Sequence, residues 1–326
     1  MASLAIKVTR AALRVTSLYS TELAGRTAFA LFARSPSKKP QSKKEADAIA
    51  RARPRLETAR RVDLLYGEGV IAAHEFAPLG GGSGRGTVLV VHGYRSRTEH
   101  MIPIVDMLTS EGFRTVAIDL PGHGASEGRR MHLANSVEAI DAAWRQFGPF
   151  DGVVGHSFGG AAVIAAAAGL IPAFPTRRPA RLVTIASPTR LKELFEYFGG
   201  VMRLSPKVQA ALEREVLYLT GRPLDDYDAA ANLATIDTPT LVLHAPDDKE
   251  VDFGNAQRLA LAGDHVRLAP VASYGHRRIL AAPEALGEIA AFLAPFGDGN
   301  SVSAMAQSAP ADIRQSKRMS EVRRRA

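Results

Sequence analysis

The sequence predicts an α/β chain, a mostly parallel sheet covered by helices on both faces and carrying a helical cap. Three observations carry that expectation. Short β-branched and leucine runs alternate with longer helical ones, the signature of parallel strands joined by helices. Two strand-like runs flank Gly67-Glu68-Gly69 and read as an antiparallel hairpin at a sheet edge. A stretch of about fifty residues between two later strand-like runs is too long for a plain crossover.

Taken in order, residues 62–66 and 70–77 form the predicted hairpin. Residues 87–91 are an uninterrupted Thr-Val-Leu-Val-Val run, suited to a strand buried on both faces, and a helical run follows at 99–111. The alternation continues with strand 115–119 and helix 131–147, then strand 153–154 and the alanine-rich helix 158–171, then strand 182–185. Strand 241–243 with helix 253–262, and strand 266–269 with helix 279–296, complete the pattern. Residues 62–188 and 240–296 are therefore expected to make the core, and 189–239 the cap. The cap runs 191–198 and 207–218 are amphipathic. They offer Leu191, Leu194, Phe195, Phe198, Val201, Met202, Leu212, Val216, Leu217 and Leu219 either to a pocket or to packing on the fold.

With 326 residues, 46% of them hydrophobic, the chain can bury one core and still carry appendages. It has no cysteine, which excludes disulfides and thiolate metal sites and fits a cytoplasmic setting, with or without peripheral attachment to a membrane. No histidine pair has metal-ligand spacing, and the glycine-rich 80–86 lacks the Lys-Ser/Thr ending of a phosphate loop, so neither metal nor cofactor is expected. The net charge of +8 sits at the two ends. Residues 1–61 hold 14 Lys and Arg against 4 Asp and Glu, and residues 297–326 hold 6 against 3, while 62–296 hold 21 against 26. A mildly acidic body argues against nucleic acid as a partner.

Within 1–61, Leu4, Ile6, Val8, Ala11, Leu13, Val15 and Leu18 accompany Lys7, Arg10 and Arg14, with no acid before Glu22. That reads as a cationic, partly apolar helix, too often interrupted by charge to span a bilayer. Contact of residues 1–34 with an anionic membrane surface, docking on the body, membrane-free flexibility, and an organellar transit segment are the open readings. Residues 35–61 read as a linker and 297–326 as a disordered basic tail.

Gly155-His156-Ser157-Phe158-Gly159 falls where a strand-like run ends and a helical run begins. A corner that sharp brings strand and helix together and needs small residues two before and two after the serine. Both are glycine. Alone, the pentapeptide is equally a glycine-rich turn with an incidental serine. A serine nucleophile also needs a base, a group to orient it, and amides for the developing oxyanion. Upstream, 87–91 ends in His92-Gly93-Tyr94-Arg95, where Gly93 lets the chain turn inward and the amides of Tyr94 and Phe158 can face one carbonyl oxygen. His92 either braces that loop or is an ordinary hydrogen-bonded histidine at a strand end. Downstream, Asp247 and Asp248 follow a strand and point to different sides; Asp248 is the preferred orienter and Asp247 the reserve, a solvated turn aspartate being the alternative for either. His276 lies on an expected loop tip before the last helix, free to swing onto the serine, and completes the order Ser, Asp, His.

With the run 116–128, Val-Ala-Ile-Asp-Leu-Pro-Gly-His-Gly-Ala-Ser-Glu-Gly, these motifs make the chain resemble the α/β-hydrolase superfamily over 62–296, most similar to the branch of monoacylglycerol lipases and related esterases. The resemblance implies Ser157 as nucleophile, His276 as general base and then acid, and Asp248 as orienter. It implies Tyr94 and Phe158 as oxyanion donors, His92, Gly93, Gly155 and Gly159 as their support, and a small-molecule or lipid ester as substrate. Two positions depart from the pattern. Ala245 stands where glycine is common, and Arg95 where proline or glycine is, so that Arg95 or Arg97 either meets an acidic leaving group or is solvated. Amidase or peptidase, acyltransferase, carbon-carbon hydrolase and perhydrolase chemistry use the same triad, whereas branches with an aspartate nucleophile are disfavoured by Ser157. A noncatalytic binding protein with this fold is the rival of another class.

Overall fold

The computed structural model describes residues 4–80 and 85–294. Three helices come first: α1 (Leu4–Tyr19), α2 (Thr21–Phe32) and α3 (Lys43–Glu57). The hairpin follows as β1 (Arg60–Tyr66) and β2 (Gly69–Phe76). Next come β3 (Thr87–Val91), α4 (Ile102–Ser110), β4 (Arg114–Ile118) and α5 (Leu133–Phe147), then β5 (Gly152–His156), α6 (Phe158–Ala167) and β6 (Arg181–Ile185). The long excursion holds α7 (Leu191–Met202), α8 (Pro206–Thr220) and α9 (Ala229–Leu233). β7 (Thr240–His244), α10 (Gly254–Ala260), β8 (Val266–Pro270), the single turn α11 (Gly275–Arg278) and α12 (Pro283–Leu293) complete the described chain.

The eight strands form one sheet in the order β1-β2-β4-β3-β5-β6-β7-β8. β1 and β2 pair antiparallel, β2 meets β4 antiparallel, and every pair from β4 through β8 is parallel. Strand alternation explains the two-sided core. Leu89 and Val91 of β3 face one apolar cluster with Ile140 and Val163, while Val88 and Val90 face another with Leu108 and Ile289. The chain leaves β3 for β4 on one side and returns to β5 on the other, so the carboxyl ends of β3 and β5 flank the crevice where open sheets of this type bind ligands.

The amino-terminal segment departs from the expected linker. Residues 43–57 form α3, because Lys, Arg, Ala and Glu are good helix formers whatever their solubility. Ser42 caps it by accepting from the Glu45 amide at 3.1 Å. Its buried side is narrow, Ile49 and Ala52, and is reinforced by Arg55, which donates to Asp106 at 2.6 Å and lies 5.0 Å over the Phe76 ring. α2 packs on cap helix α8 so closely that a Cβ on Gly25 would stand 2.5 Å from Cβ of Ala211. The expected tail at 297–326 lies outside the described residues. Among the described residues, no helix is long and apolar enough to cross a membrane.

Candidate active site

Ser157 occupies the corner between β5 and α6 with φ 52° and ψ −124°. A non-glycine residue there carries about 1–3 kcal/mol of backbone strain and persists only where its surroundings over-determine it. They do so here. The Ser157 amide donates to Ile185 O at 2.8 Å, and its carbonyl accepts from Gly160 N at 2.9 Å. The two expected glycines are sterically required: a Cβ on Gly155 would lie 2.7 Å from Gly160 Cα, and one on Gly159 would lie 2.4 Å from His92 O. Gly160 is a third such position, since its Cβ would overlap the Ser187 hydroxyl. A Cβ on Gly93 would stand 2.7 Å from Ser157 Cβ, which places the loop of Gly93 and Tyr94 directly against the serine.

Because the Ser157 amide is engaged, the next free donor is Phe158, the first residue of α6. The amides of Phe158 and Tyr94 meet no protein acceptor among the described residues. The loop carrying Tyr94 is pinned by two buried histidines. His92 donates from Nδ1 to Gly93 O at 2.7 Å and accepts on Nε2 from Leu120 N at 2.9 Å. Burial, with His123 beside it, lowers its pKa to about 3, so it is a neutral brace at every physiological pH. His123 bonds Pro121 O through Nδ1 at 2.9 Å and accepts the Arg95 amide on Nε2 at 3.2 Å, holding Arg95 at φ 57°. Asp119 anchors the same wall by accepting from Thr98 N, Thr98 Oγ1 and Ala125 N. Burial alone would raise its pKa, but His74, His92 and these donors hold it far below the usual carboxylate range.

On the other side of the crevice, His276 Nδ1 lies 2.8 Å from Asp248 Oδ2. The Asp248 side chain is fully buried, and its Oδ1 accepts from Glu250 N at 2.8 Å and Val251 N at 3.0 Å. Burial opposes the charge, yet hydrogen bonds from His244, His276 and these amides hold the carboxyl far below its ordinary pKa. His244 Nε2 donates to Val251 O at 2.9 Å and lies 3.4 Å from Asp248 Oδ2. Asp247, the reserve, instead accepts from Ser273 N at 2.9 Å and fastens the chain leading to His276. His276 differs from its expected loop tip, since it is buried within α11. It is tied to the residue before the serine: His156 Nε2 donates to His276 O at 3.0 Å and the two rings lie 4.9 Å apart. Burial, and then the neighbouring His276, lower the His156 pKa to about 3.

Two mostly apolar cavities flank Phe158. One lies between α6 and the cap, bordered by Ala161, Ile164, Leu191, Leu194 and Tyr227. The other is bordered by Leu133, Leu191, Phe195, Val216 and Leu219, together with Phe29 and Phe32 of α2. The Phe32 and Phe195 rings are 4.2 Å apart. Of the cap side chains expected as lining, Leu191, Leu194, Phe195, Val216 and Leu219 reach a cavity, whereas Leu212 is core and Leu217 faces solvent. The contribution of α2 to this cavity is not among the expectations from sequence. The segment after α2 is fastened to the loops beside the serine: Tyr94 Oη donates to Arg34 O at 3.1 Å, and Lys38 Nζ to Ser126 O. It also engages the two arginines expected at the mouth. Arg95, exposed, donates to Gln41, and Arg97 pairs with Glu99 and donates to Lys38 O. Ala245 is fully buried and lies outside the positive-φ region, which removes any need for glycine.

A sequence profile of the alpha/beta hydrolase family matches residues 88–289. Among solved structures, the esterase domain of a Rhodothermus marinus protein is 22% identical, covering 73% of this chain and 96% of that one with a TM-score of 0.50. An esterase from Pyrococcus furiosus is 19% identical, covering 80% and 98% with a TM-score of 0.57. An esterase from a Rhodococcus species is 17% identical, covering 73% and 99% with a TM-score of 0.53. A search of curated proteins finds no significant match. At these identities the structures speak for the fold. The profile spans the sheet from β3 to the last helix, and on that ground the chain belongs to the alpha/beta hydrolase family.

Proposed function

We propose that this chain is a serine hydrolase that cleaves carboxylic esters with an apolar acyl group through an acyl-enzyme on Ser157. The observation that carries the reading is the strained Ser157 corner with two unengaged amides next to it, preceded by His156, whose bond to His276 O ties the corner to a histidine already bonded to a buried carboxylate. Each feature alone has a structural explanation. Together they supply the nucleophile, the base, its orienter and the oxyanion donors that acyl transfer needs.

The roles follow from the hydrogen bonds. His276 keeps its proton on Nδ1 and donates that N–H as a hydrogen bond to Asp248, so Nε2 carries the free lone pair and accepts the Ser157 proton as Oγ attacks the ester carbonyl. The carbonyl oxygen becomes an oxyanion facing the Tyr94 and Phe158 amides. Collapse breaks the carbon-oxygen bond to the leaving alcohol, which takes its proton from His276. Water then attacks the acyl-enzyme, giving its proton to His276, and the second collapse returns Ser157 and releases the acid. The apolar lining around Phe158 supports an alkyl or aryl acyl group.

The test is labelling and turnover. The wild type should react with a fluorophosphonate probe and hydrolyse p-nitrophenyl butyrate, and Ser157→Ala should do neither. Turnover retained in Ser157→Ala refutes the assignment. A wild type that neither labels nor turns over any ester in a graded series favours the noncatalytic alternative.

A further inference from the structure

The outward face of α1 is unlike an ordinary protein surface. Leu4, Val8, Ala11, Val15 and Leu18 recur at helical spacing, and the large ones among them are 78%, 61%, 54% and 79% exposed. At 100° per residue they share one arc with Ala5, Ala12 and Tyr19, and no charged side chain falls within it. Leu23 of α2, 54% exposed, continues the apolar surface past the bend. The opposite arc is already used by the fold. Leu13 is buried, and Arg10 donates from Nε and Nη2 to Val201 O of α7 at 2.8 and 2.6 Å. The exposed stripe is therefore not the side that docks on the cap.

Exposed Lys7 and Arg14 run along one edge of this arc, and α1 contains no acid. We infer that α1 is a docking helix for an anionic phospholipid surface, with its apolar arc in the headgroup boundary and Lys7 and Arg14 on the lipid charges. Charge decides against the other occupants. Two copies joined antiparallel through this arc would bring Lys7 and Arg14 against like charges with no acid of α1 to offset them. Residues 297–326 of the chain hold 6 basic against 3 acidic residues, so they do not complement the helix either. The docked helix is continuous with α2, whose Phe29 and Phe32 wall a cavity beside Phe158. Attachment to lipid thus sets that wall near the source of acyl chains, a consequence that rests on the esterase reading, although the docking itself does not.

Flotation of the full chain with phosphatidylcholine vesicles, with and without phosphatidylglycerol, tests the inference. It is run in parallel on Ser157→Ala, because binding needs no turnover. The wild type and Ser157→Ala should both float with the anionic vesicles. Val8→Asp/Val15→Asp, both on the outward face, should stay behind while keeping full turnover of a soluble short ester. Lys7→Gln and Arg14→Gln should each lower partitioning about fivefold, and this milder pair keeps the test decisive if the double aspartate variant fails to fold. No flotation of the wild type overturns the inference, and equal flotation on phosphatidylcholine alone overturns its anionic character. A dimer seen in light scattering and lost in Val8→Asp/Val15→Asp, without flotation, gives the face to a second copy and overturns it as well.

Discussion

Replacing Asp248 by Asn keeps the shape of the side chain and reverses one hydrogen bond, which makes it the sharpest test of the proposed proton path. The two carboxylate oxygens have distinct partners. Oδ1 accepts from the amides of Glu250 and Val251, whereas Oδ2 faces His276 Nδ1 at 2.8 Å and His244 Nε2 at 3.4 Å. An asparagine settles its oxygen on the two amides, because backbone donors cannot become acceptors, and so turns its NH2 toward both histidines. His276 can meet a donor only by accepting on Nδ1, which moves its proton to Nε2, the nitrogen that must take the Ser157 proton. Turnover of p-nitrophenyl butyrate should then fall about 10⁴-fold in kcat, the scale found where an aspartate-to-asparagine change traps the wrong tautomer, equivalent to about 5 kcal/mol of barrier. Stability should fall by less, about 1.5–3 kcal/mol for losing hydrogen bonds to a charged group. Measured side by side, kcat and the urea midpoint separate the two effects. An Asp248→Asn protein that folds and keeps a tenth of wild-type kcat refutes the role given to Asp248.

The buried histidines give a pH prediction. His92 and His156 are lowered to about 3 and His132 to about 4, in each case chiefly by burial, so they stay neutral in the folded chain while the unfolded chain protonates them near 6.5. Their contribution is complete above pH 6.5 and is lost as the pH falls toward 4 for His132 and toward 3 for His92 and His156, at about 1.4 kcal/mol per pH unit for each. By pH 5 the three together remove about 6 kcal/mol, which urea titrations from pH 7.5 to 5 should detect; a flat stability over that range overturns the neutral assignment. Phe32→Ala should enlarge the cavity that Phe32 shares with Phe195 and shift the preferred p-nitrophenyl ester to longer acyl chains. Its stability loss should be about 2 kcal/mol, below the range for a fully buried phenylalanine because Phe32 is half-buried. An unchanged chain-length profile would remove α2 from the acyl site.

The sheet was legible because its physics is local. β3 lies where the Thr-Val-Leu-Val-Val run places it, and Gly155 and Gly159 are required by contacts that any strand-to-helix corner of this sharpness produces. The choice between Asp247 and Asp248 was readable only as a difference of side, and it took the Ser273 amide to show what Asp247 does instead. The edges of elements were less legible. The run at 99–111 begins as a 3-10 turn over Thr98–Met101 before α4, and the helix expected at 279–296 opens as a 3-10 turn over Ile279–Ala281 and restarts as α12 at Pro283. Proline favours the first turn of a helix and disfavours continuation into it, so that break had a signal that hydrophobic periodicity alone passes over.

The braces and the second wall of the cavity were hidden for a different reason. His123, His156 and His244 matter through bonds to Arg95 N, His276 O and Val251 O, and nothing in a single histidine's neighbours in sequence announces a backbone partner as far away as 120 residues. The same holds for α2. Its composition reads as part of a basic flank, yet Gly25 lets it approach Ala211 closely enough to set Phe29 and Phe32 against the cap. A glycine in the middle of a helix costs about 1 kcal/mol relative to alanine, and that cost is an argument for a packing role even before the partner is known. In a chain whose charge draws the eye to its ends, the uncharged Gly25 marks where the amino-terminal helices join the body.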